Sequence, residues 1–258
     1  MGAHGSDLGS LKVCEPLSHF GYFSCTQSPP AKTCSCRYHE AKSVLLQGVY
    51  SGGAYMEGAG VVVHSGVGDL AFGVQGPQPD DLSAGLLKEF SGYLESGGLP
   101  NHIQENVPLL AWEKLCTNAA INAVTAVLRV KNGALLDSTA AMDLMKSVSM
   151  EAHQVGIEVL RPTSGENDSS WTSFKNNGWE ACYKRAMTVA ERTSGNTSSM
   201  LADVLNKKKT EIEYINGTIV REGLKHGIST PANQVLLSLV RASYDLANIR
   251  MQHIQDQS

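Results

Sequence analysis

Residues 109–130 have the sequence LLAWEKLCTNAAINAVTAVLRV, and this stretch decides the fold class of the chain. Small and apolar side chains fill most of it and Asn132-Gly133 closes it, so it predicts one helix. Three polar side chains recur at every fourth position: Lys114, Asn118 and Asn122. Because an α-helix turns by about 100° per residue, each step of four drifts by only about 40°, and the three side chains form one stripe.

This polar stripe has two interpretations. Ammonium and amide groups in a partly dry groove need hydrogen-bonding partners, which either the protein or a ligand supplies. In the first case, the stripe belongs to a buried polar network or to an uncharged exposed face of the helix. In the second case, Lys114 is a proton donor, since burial lowers a lysine pKa, and the two amides hold hydroxyl or carboxylate groups of a small substrate.

The chain around this helix is predicted to be helical from Pro108 onward. The sequence STPANQ gives a strong helix start, with Thr230 as the N-cap and Pro231 in the first turn. We predict a helical domain over residues 101–258. Its helices cover residues 109–130, about 138–160 and about 171–192, with further helices that begin near Ser198, near Thr210 and at Pro231.

Residues 197–217, TSSMLADVLNKKKTEIEYING, predict two of these helices with an exposed lysine triplet between them. Ile212, Ile215 and Ile219 form the buried stripe of the second helix. Glu211 borders that stripe, whereas Glu213 lies about 200° away from Glu211, so the two carboxylates cannot share a role. The simplest explanation of both is that acidic side chains suit a helix N-terminus.

The first part of the chain has a different character. Residues 1–43 are rich in Gly, Ser, Pro and Cys and predict an irregular segment. Within residues 44–100, the runs SVLLQGVY, GAGVVVHSG and DLAFGV predict three strands. Residues 82–98 predict a helix, and its apolar stripe is Leu82, Leu86, Phe90 and Leu94.

Composition excludes several classes of protein. The 258 residues are 42% hydrophobic and carry a net charge of −4, which is typical of a globular chain with a sizeable core. A nucleic-acid-binding protein usually has a basic excess, which is missing here. No apolar run approaches the roughly 18 residues of a membrane span, and no signal peptide is recognisable. We therefore expect a cytoplasmic protein with neither a nucleic acid nor a membrane as its partner.

The cysteines are concentrated near the start, at Cys14, Cys25, Cys34 and Cys36. With His39, the stretch CSCRYH could form a zinc site. The spacings match no pattern of paired cysteines such as C-x-x-C followed by a second pair. We therefore predict free thiols and no metal.

Three segments, WEKLCTNAAINAVTA, SSMLADVLNKKKTEIEYING and HGISTPAN, resemble the C-terminal domain of ketopantoate reductase (2-dehydropantoate 2-reductase) in sequence, order and spacing. The resemblance covers about residues 44–250 and is most specific in the helical half. It implies an α/β remnant followed by an all-α part. The strands would come from an incomplete Rossmann-type domain, and the helices would form a domain of the 6-phosphogluconate-dehydrogenase C-terminal-like type.

The resemblance also implies a function: NADPH-dependent reduction of ketopantoate to pantoate, a step of pantothenate and coenzyme A synthesis. Lys114 matches the family's catalytic lysine, which protonates the carbonyl oxygen, and Glu211 matches the glutamate that positions the substrate and this lysine. The substrate would be a small 2-oxo acid, and the apolar faces of the helical half would suit a homodimer. Substrate-binding positions are matched by Asn118, Asn122 and Ser199, and a position near the cofactor cleft by Asp203.

The chain departs from this family where the cofactor is bound. The family begins with a strand and a G-x-G-x-x-G/A loop that places the pyrophosphate at a helix N-terminus. Here GAG at 58–60 precedes a strand, and GVGDLAFG at 66–73 lies between strands. We expect a member whose first domain is truncated or replaced. Two alternatives stay open: a non-catalytic binding or dimerising module, and a reductase of another small 2-oxo acid.

Overall fold

The computed structural model of the chain describes residues 46–66, 68–74, 81–162 and 168–255. They belong to two units whose boundary lies between Val107 and Pro108. The first unit contains five strands and a helix in its described part, and the second is helical. The predicted irregular segment 1–43, with its cysteines and the expectation of no metal, lies outside the described residues. The predicted division into segments 1–43, 44–100 and 101–258 stays a prediction.

The strands of the first unit form a small sheet and a separate hairpin. The elements are β1 (Leu46–Tyr50), β2 (Gly53–Gly58), β3 (Val61–Gly66), β4 (Leu70–Val74), α1 (Asp81–Ser96) and β5 (Asn101–Ile103). In the sheet, β4 lies between β1, which is antiparallel to it, and β5, which is parallel to it. The hairpin consists of β2 and β3. The three strands predicted from the sequence correspond to β1, β3 and β4, so β2 and β5 were not predicted.

The core of the first unit forms where α1 covers the sheet. Leu70 and Phe72 of β4 pack with Leu87 of α1. The predicted face of α1 is wrong by one position at its centre, because Leu87 is 4% exposed whereas Leu86 is 42% exposed. Leu87 lies three residues before Phe90 and seven before Leu94, which also pack there, so this alternative face satisfies the helical period equally well.

The second unit contains six α-helices and a short 3₁₀ helix in its described part. The predicted helix near residues 138–160 begins after Ser138, whose side chain accepts a hydrogen bond from the backbone N–H of Ala141. The elements are α2 (Val107–Leu128), the 3₁₀ helix (Asn132–Asp137), α3 (Thr139–Val159), α4 (Ser169–Arg192), α5 (Ser199–Leu205), α6 (Asn216–His226) and α7 (Pro231–Gln255).

The helix predicted to begin near Thr210 begins only at Asn216. Residues 211–215 form a turn in which the carbonyl group of Glu211 accepts from the backbone N–H groups of Tyr214 and Ile215. Ile215 has a ψ angle of −94°, which is not helical. The prediction failed because the apolar spacing of this segment fits a helix while the backbone turns. Glu211 therefore precedes the helix, and placement in its first turn does not explain this acid.

Helix α2 is held between its neighbours by specific polar contacts. Trp112 donates from Nε1 to the carbonyl oxygen of Ala152 in α3, at 3.0 Å. On α4, the Arg185 guanidinium forms a two-pronged ion pair with Glu113, with N–O distances of 2.6 and 2.8 Å. The buried thiols of Cys116 and Cys182 hydrogen-bond to each other between the same two helices, and this bond and burial raise the pKa of Cys116.

No helix in the described residues combines the length and the hydropathy that a membrane span requires.

Candidate functional site

In the central part of α2, the polar stripe is the part of the helix that is reached from outside. Among residues 115–126, only Asn118 and Asn122 are not buried, and Lys114 just before them is also half-buried. Leu115, Ala119 and Val124 beside them are all buried. The stripe is therefore neither fully exposed to solvent nor fully buried, and a ligand could reach its polar groups at a partly desolvated surface.

Lys114 lies at one end of the stripe, close enough to Glu211 for the two charges to interact. Partial burial lowers the pKa of the lysine, and the negative charge of Glu211 opposes this shift by favouring the ammonium form. Burial is the larger influence, so Lys114 is a stronger acid than a lysine in water. Glu211 is itself half-buried, in the turn before α6.

Three interactions join residues 198–216 to α2. At one end, the Ser198 hydroxyl oxygen is 2.7 Å from that of Thr125, three residues beyond Asn122. Within the span of the stripe, Asn216 donates from Nδ2 to the carbonyl oxygen of Ala119, at 3.4 Å. Together with the Glu211–Lys114 interaction, these contacts bring the start of α5 and the turn before α6 to the two ends of the stripe.

The two serines at the start of α5 differ in their surroundings. Ser198 is buried and caps the helix, because its hydroxyl oxygen accepts from the backbone N–H of Leu201 at 3.1 Å. Ser199, the residue predicted to bind substrate, is the exposed first residue of α5. Asp203 lies half-buried in the same helix. The substrate role of Ser199 and the cofactor role of Asp203 stay predictions.

Glu213 is directed to a different partner from Glu211. Both oxygens of its carboxylate are bonded to the guanidinium of Arg241 in α7, and Arg221 donates to its backbone carbonyl oxygen. The hydrogen bond from Arg241 holds the pKa of the Glu213 carboxyl below its usual value. Two glutamates only two positions apart thus have separate partners, although the predicted angle between them assumed a helix that begins only at Asn216.

Sequence reasoning missed the buried polar residues behind the stripe. Asn216 and Asn233 are fully buried, and each lies in a segment that carries the family resemblance, in YING and STPAN. Ser198, one of the two serines that could cap α5, is the actual cap, and its additional bond to Thr125 of α2 was not predicted. The signal available in the sequence was an asparagine beside apolar residues in a predicted core, which requires a specific hydrogen-bond partner.

The sequence between the described parallel strands does not fit the pyrophosphate of a dinucleotide cofactor. The described strand–helix–strand unit with parallel strands is β4–α1–β5. Its linking residues 75–80 are QGPQPD, with one glycine and two prolines in place of a G-x-G-x-x-G loop. Helix α1 then begins with Asp81, whose negative charge opposes a phosphate at the helix N-terminus.

Residues 106–244 match the family described as "Ketopantoate reductase PanE/ApbA C terminal". The chain belongs to the ketopantoate reductase family. A 2-dehydropantoate 2-reductase of Archaeoglobus fulgidus is 32% identical to it over 197 residues, which are 76% of this chain and 60% of that protein. The chain therefore spans about three fifths of the length of this relative. The resemblance predicted from the sequence is confirmed.

Solved structures of the ketopantoate reductase family and of a related dehydrogenase have the same fold. The ternary structure of D-mandelate dehydrogenase with NADH and anilino(oxo)acetate gives a TM-score of 0.66 at 27% identity, covering 79% of this chain and 61% of that one. A PanE/ApbA family ketopantoate reductase from Ralstonia eutropha JMP134 gives 0.60 at 28% identity, covering 78% and 59%. The predicted fold class is confirmed, and the relatives are oxidoreductases.

Proposed function

We propose that the helical unit of this chain binds a small 2-oxo acid and protonates its carbonyl oxygen. The activity would be that of an NADPH-dependent 2-dehydropantoate 2-reductase, which forms pantoate from ketopantoate for pantothenate and coenzyme A synthesis. The supporting observation is the half-buried stripe of α2, with Lys114 at its end and the charge of Glu211 beside it. The cytoplasmic location predicted from the sequence belongs to this proposal.

In this proposal, Lys114 is the acid. Negative charge develops on the carbonyl oxygen when a 2-oxo acid is reduced, and a nearby ammonium stabilises that charge. Because the pKa of Lys114 is lowered, its ammonium group donates a proton more readily near neutral pH. The proton passes from Nζ to the new alkoxide, and the resulting amine regains a proton from water. Glu211 keeps the lysine charged before the reaction and holds it in place.

The amides of the stripe hold the substrate. An asparagine side chain both donates and accepts, so Asn118 and Asn122 can bind the carboxylate and the hydroxyl group of a molecule such as ketopantoate. Ser199, at the exposed start of α5, adds a hydroxyl group near the Asn122 end. Fixed polar groups of this kind orient a substrate before the reaction.

NADPH is the hydride source that the family resemblance implies. The described residues do not supply its pyrophosphate site, and Asp203 is the residue of the helical unit that we place near it. Titration of NADPH into the purified chain, followed by nicotinamide fluorescence, tests this directly. Absence of binding at millimolar cofactor would overturn the proposal that this chain is an active reductase by itself.

Pantoate formation after the addition of ketopantoate then tests the acid. Lys114→Ala should slow turnover by about 100-fold or more while the circular dichroism spectrum is retained. Lys184→Ala is the matched control, because Lys184 is an exposed lysine on α4. Equal turnover of the Lys114 and Lys184 variants would remove Lys114 from the role of proton donor.

A second candidate function is a non-catalytic module that dimerises. Val235, Leu239 and Leu246 lie on one side of α7 and are 57%, 47% and 57% exposed. Such a stripe suits a second copy of the same helix. Sedimentation equilibrium of the chain and of Leu239→Asp distinguishes the two candidates. A dimer that Leu239→Asp dissociates, together with no NADPH binding, favours this function over the reductase.

A third candidate is a reductase of a different 2-oxo acid. The similarity to D-mandelate dehydrogenase with anilino(oxo)acetate supports it, because that bound molecule has an aromatic group on an oxo acid. A panel of aliphatic and aromatic 2-oxo acids tests this candidate with the same assay. Equal rates across the panel would exclude ketopantoate as the dedicated substrate.

A further inference from the structure

Three buried polar side chains from three helices form one hydrogen-bonded network, which we call the Glu151 network. Its members are Glu151 of α3, Asn216 of α6 and Asn233 of α7. The Glu151 carboxylate accepts from the backbone N–H groups of Ala232 and Asn233, at 2.8 and 3.0 Å. It thereby caps the start of α7 from a position 81 residues earlier in the chain.

The carboxylate also fixes the orientation of both amides. An ionised carboxylate only accepts, so Asn233 must direct Nδ2 to Glu151, which it does at 2.7 Å. Its Oδ1 then faces Asn216 and accepts from Nδ2 of that residue, at 3.0 Å. The same Nδ2 of Asn216 donates to the carbonyl oxygen of Ala119, at 3.4 Å. The network therefore ends on α2.

The connection between Asn216 and Ala119 joins the two segments that carry Glu211 and Lys114. Asn216 follows Glu211 by five residues, and Ala119 follows Lys114 by five residues. The turn between Glu211 and Asn216 is closed by the backbone N–H of Gly217, which donates to the carbonyl oxygen of Ile212 at 2.9 Å. On its other side the turn follows the exposed residues 206–209. The buried side chain of Asn216 thus anchors the end of the turn that carries Glu211.

We propose that Asn216 is a positioning residue that sets the distance between the Glu211 carboxylate and the Lys114 ammonium. It acts through its bond to the carbonyl oxygen of Ala119, with its orientation imposed by Glu151 through Asn233. The importance of the Lys114–Glu211 pair rests on the proposed function. The positioning itself can be measured without cofactor or substrate.

The experiment measures how strongly Glu211 acts on Lys114. Lysine side chains are isotope-labelled, the Lys114 signal is assigned with Lys114→Met, and its pKa is followed by NMR. In the wild-type chain, Glu211→Gln should lower the Lys114 pKa, because a favourable negative charge is lost. In the Asn216→Ala background, the same substitution should produce less than about half of that shift, because the carboxylate is no longer held beside the ammonium.

Asn132→Ala is the matched control. Asn132 is also a buried asparagine, but its Nδ2 donates to the hydroxyl oxygen of Thr193, outside the Glu151 network. The full effect of Glu211→Gln should persist in that background. A full effect in Asn216→Ala as well would overturn the positioning role, and so would an equal reduction in both backgrounds, which would indicate general loosening of the fold.

A milder variant protects the test against unfolding. Asn216→Ser keeps a small polar group but cannot donate to both Asn233 and Ala119, so the pKa shift should again be reduced. An unreduced shift in a folded Asn216→Ser chain would overturn the proposal. Calorimetric titration with ketopantoate separates the two hypotheses: no binding with the pKa coupling intact contradicts the proposed function and leaves the positioning role standing.

Discussion

The polar groups of α2 lie in two different environments. The carbonyl oxygen of Ala119 accepts from a fully buried amide whose orientation is fixed by two further helices. Lys114 and the two asparagines of the stripe, in contrast, are only half-buried. The same helix thus combines a rigidly held buried contact with a half-buried polar stripe, which we propose binds the substrate. Substitutions in the Glu151 network and in the stripe should therefore differ in sign as well as in size.

The largest loss of stability is expected from Glu151→Ala. It leaves the two backbone N–H groups at the start of α7 and the Asn233 amide without their acceptor. Unsatisfied buried donors cost about 1–3 kcal/mol each, so we expect a loss of about 3 kcal/mol or more in urea unfolding. Glu191→Ala, at an exposed glutamate of α4, should change the unfolding free energy by less than about 0.5 kcal/mol. Similar values for both variants would contradict the structural role of the network.

A second loss is expected where α2 packs against α3. A methyl group on Gly156 would lie 2.2 Å from Nε1 of Trp112, whose ring is held by its hydrogen bond to Ala152. Gly156→Ala should therefore destabilise the chain by about 1–3 kcal/mol. Gly85→Ala is the control, because Gly85 lies in α1 with nothing within 4 Å of the added methyl group. Since alanine favours a helix more than glycine does, that variant should be neutral or slightly stabilising, and a loss at both sites would refute the steric explanation.

On the stripe, the expected sign is reversed. The folded-state pKa of Lys114 is lowered by burial, so below that pKa the buried ammonium reduces stability. Lys114→Met should add about 0.5–1 kcal/mol at neutral pH. This gain should shrink as pH rises through the folded-state pKa towards the unfolded value, because wild-type Lys114 then loses its charge. Lys184→Met should show no such gain, and a destabilised Lys114→Met would mean that attraction to Glu211 outweighs burial.

These differences show which features local sequence can predict. The half-buried stripe of α2 follows from spacing in a single helix, and so does the start of α7 at Pro231. The turn before α6 does not, because its apolar residues obey the helical period whether or not Ile215 adopts a helical ψ angle. For the same reason Leu86 was predicted to be buried in α1, whereas the buried residue is Leu87.

Contacts between distant residues were beyond local reasoning. Nothing in the local sequence indicates that Cys116 and Cys182 are in contact. Nor does the sequence near Glu151 indicate that this residue caps the helix that begins at Pro231. The proximity of Glu211 to Lys114 was predicted through the family resemblance, not through spacing. The residues that hold this pair in place belong to the same class of long-range contact, which is why sequence reasoning missed them.

The smallest effect is expected at Glu213. Glu213→Gln breaks the ion pair with Arg241 at the surface, which should cost about 0.2–1 kcal/mol at neutral pH. Because the folded-state pKa of Glu213 is lowered, its contribution is present above the unfolded-state pKa and is lost as pH falls through the folded-state value. The wild-type and Glu213→Gln unfolding curves should therefore converge in acid.

Glu213→Gln should leave the Lys114 pKa nearly unchanged, since the Glu213 carboxylate is held by α7, whereas Glu211→Gln lowers it. A comparable shift from both variants would mean that the two carboxylates act on Lys114 together.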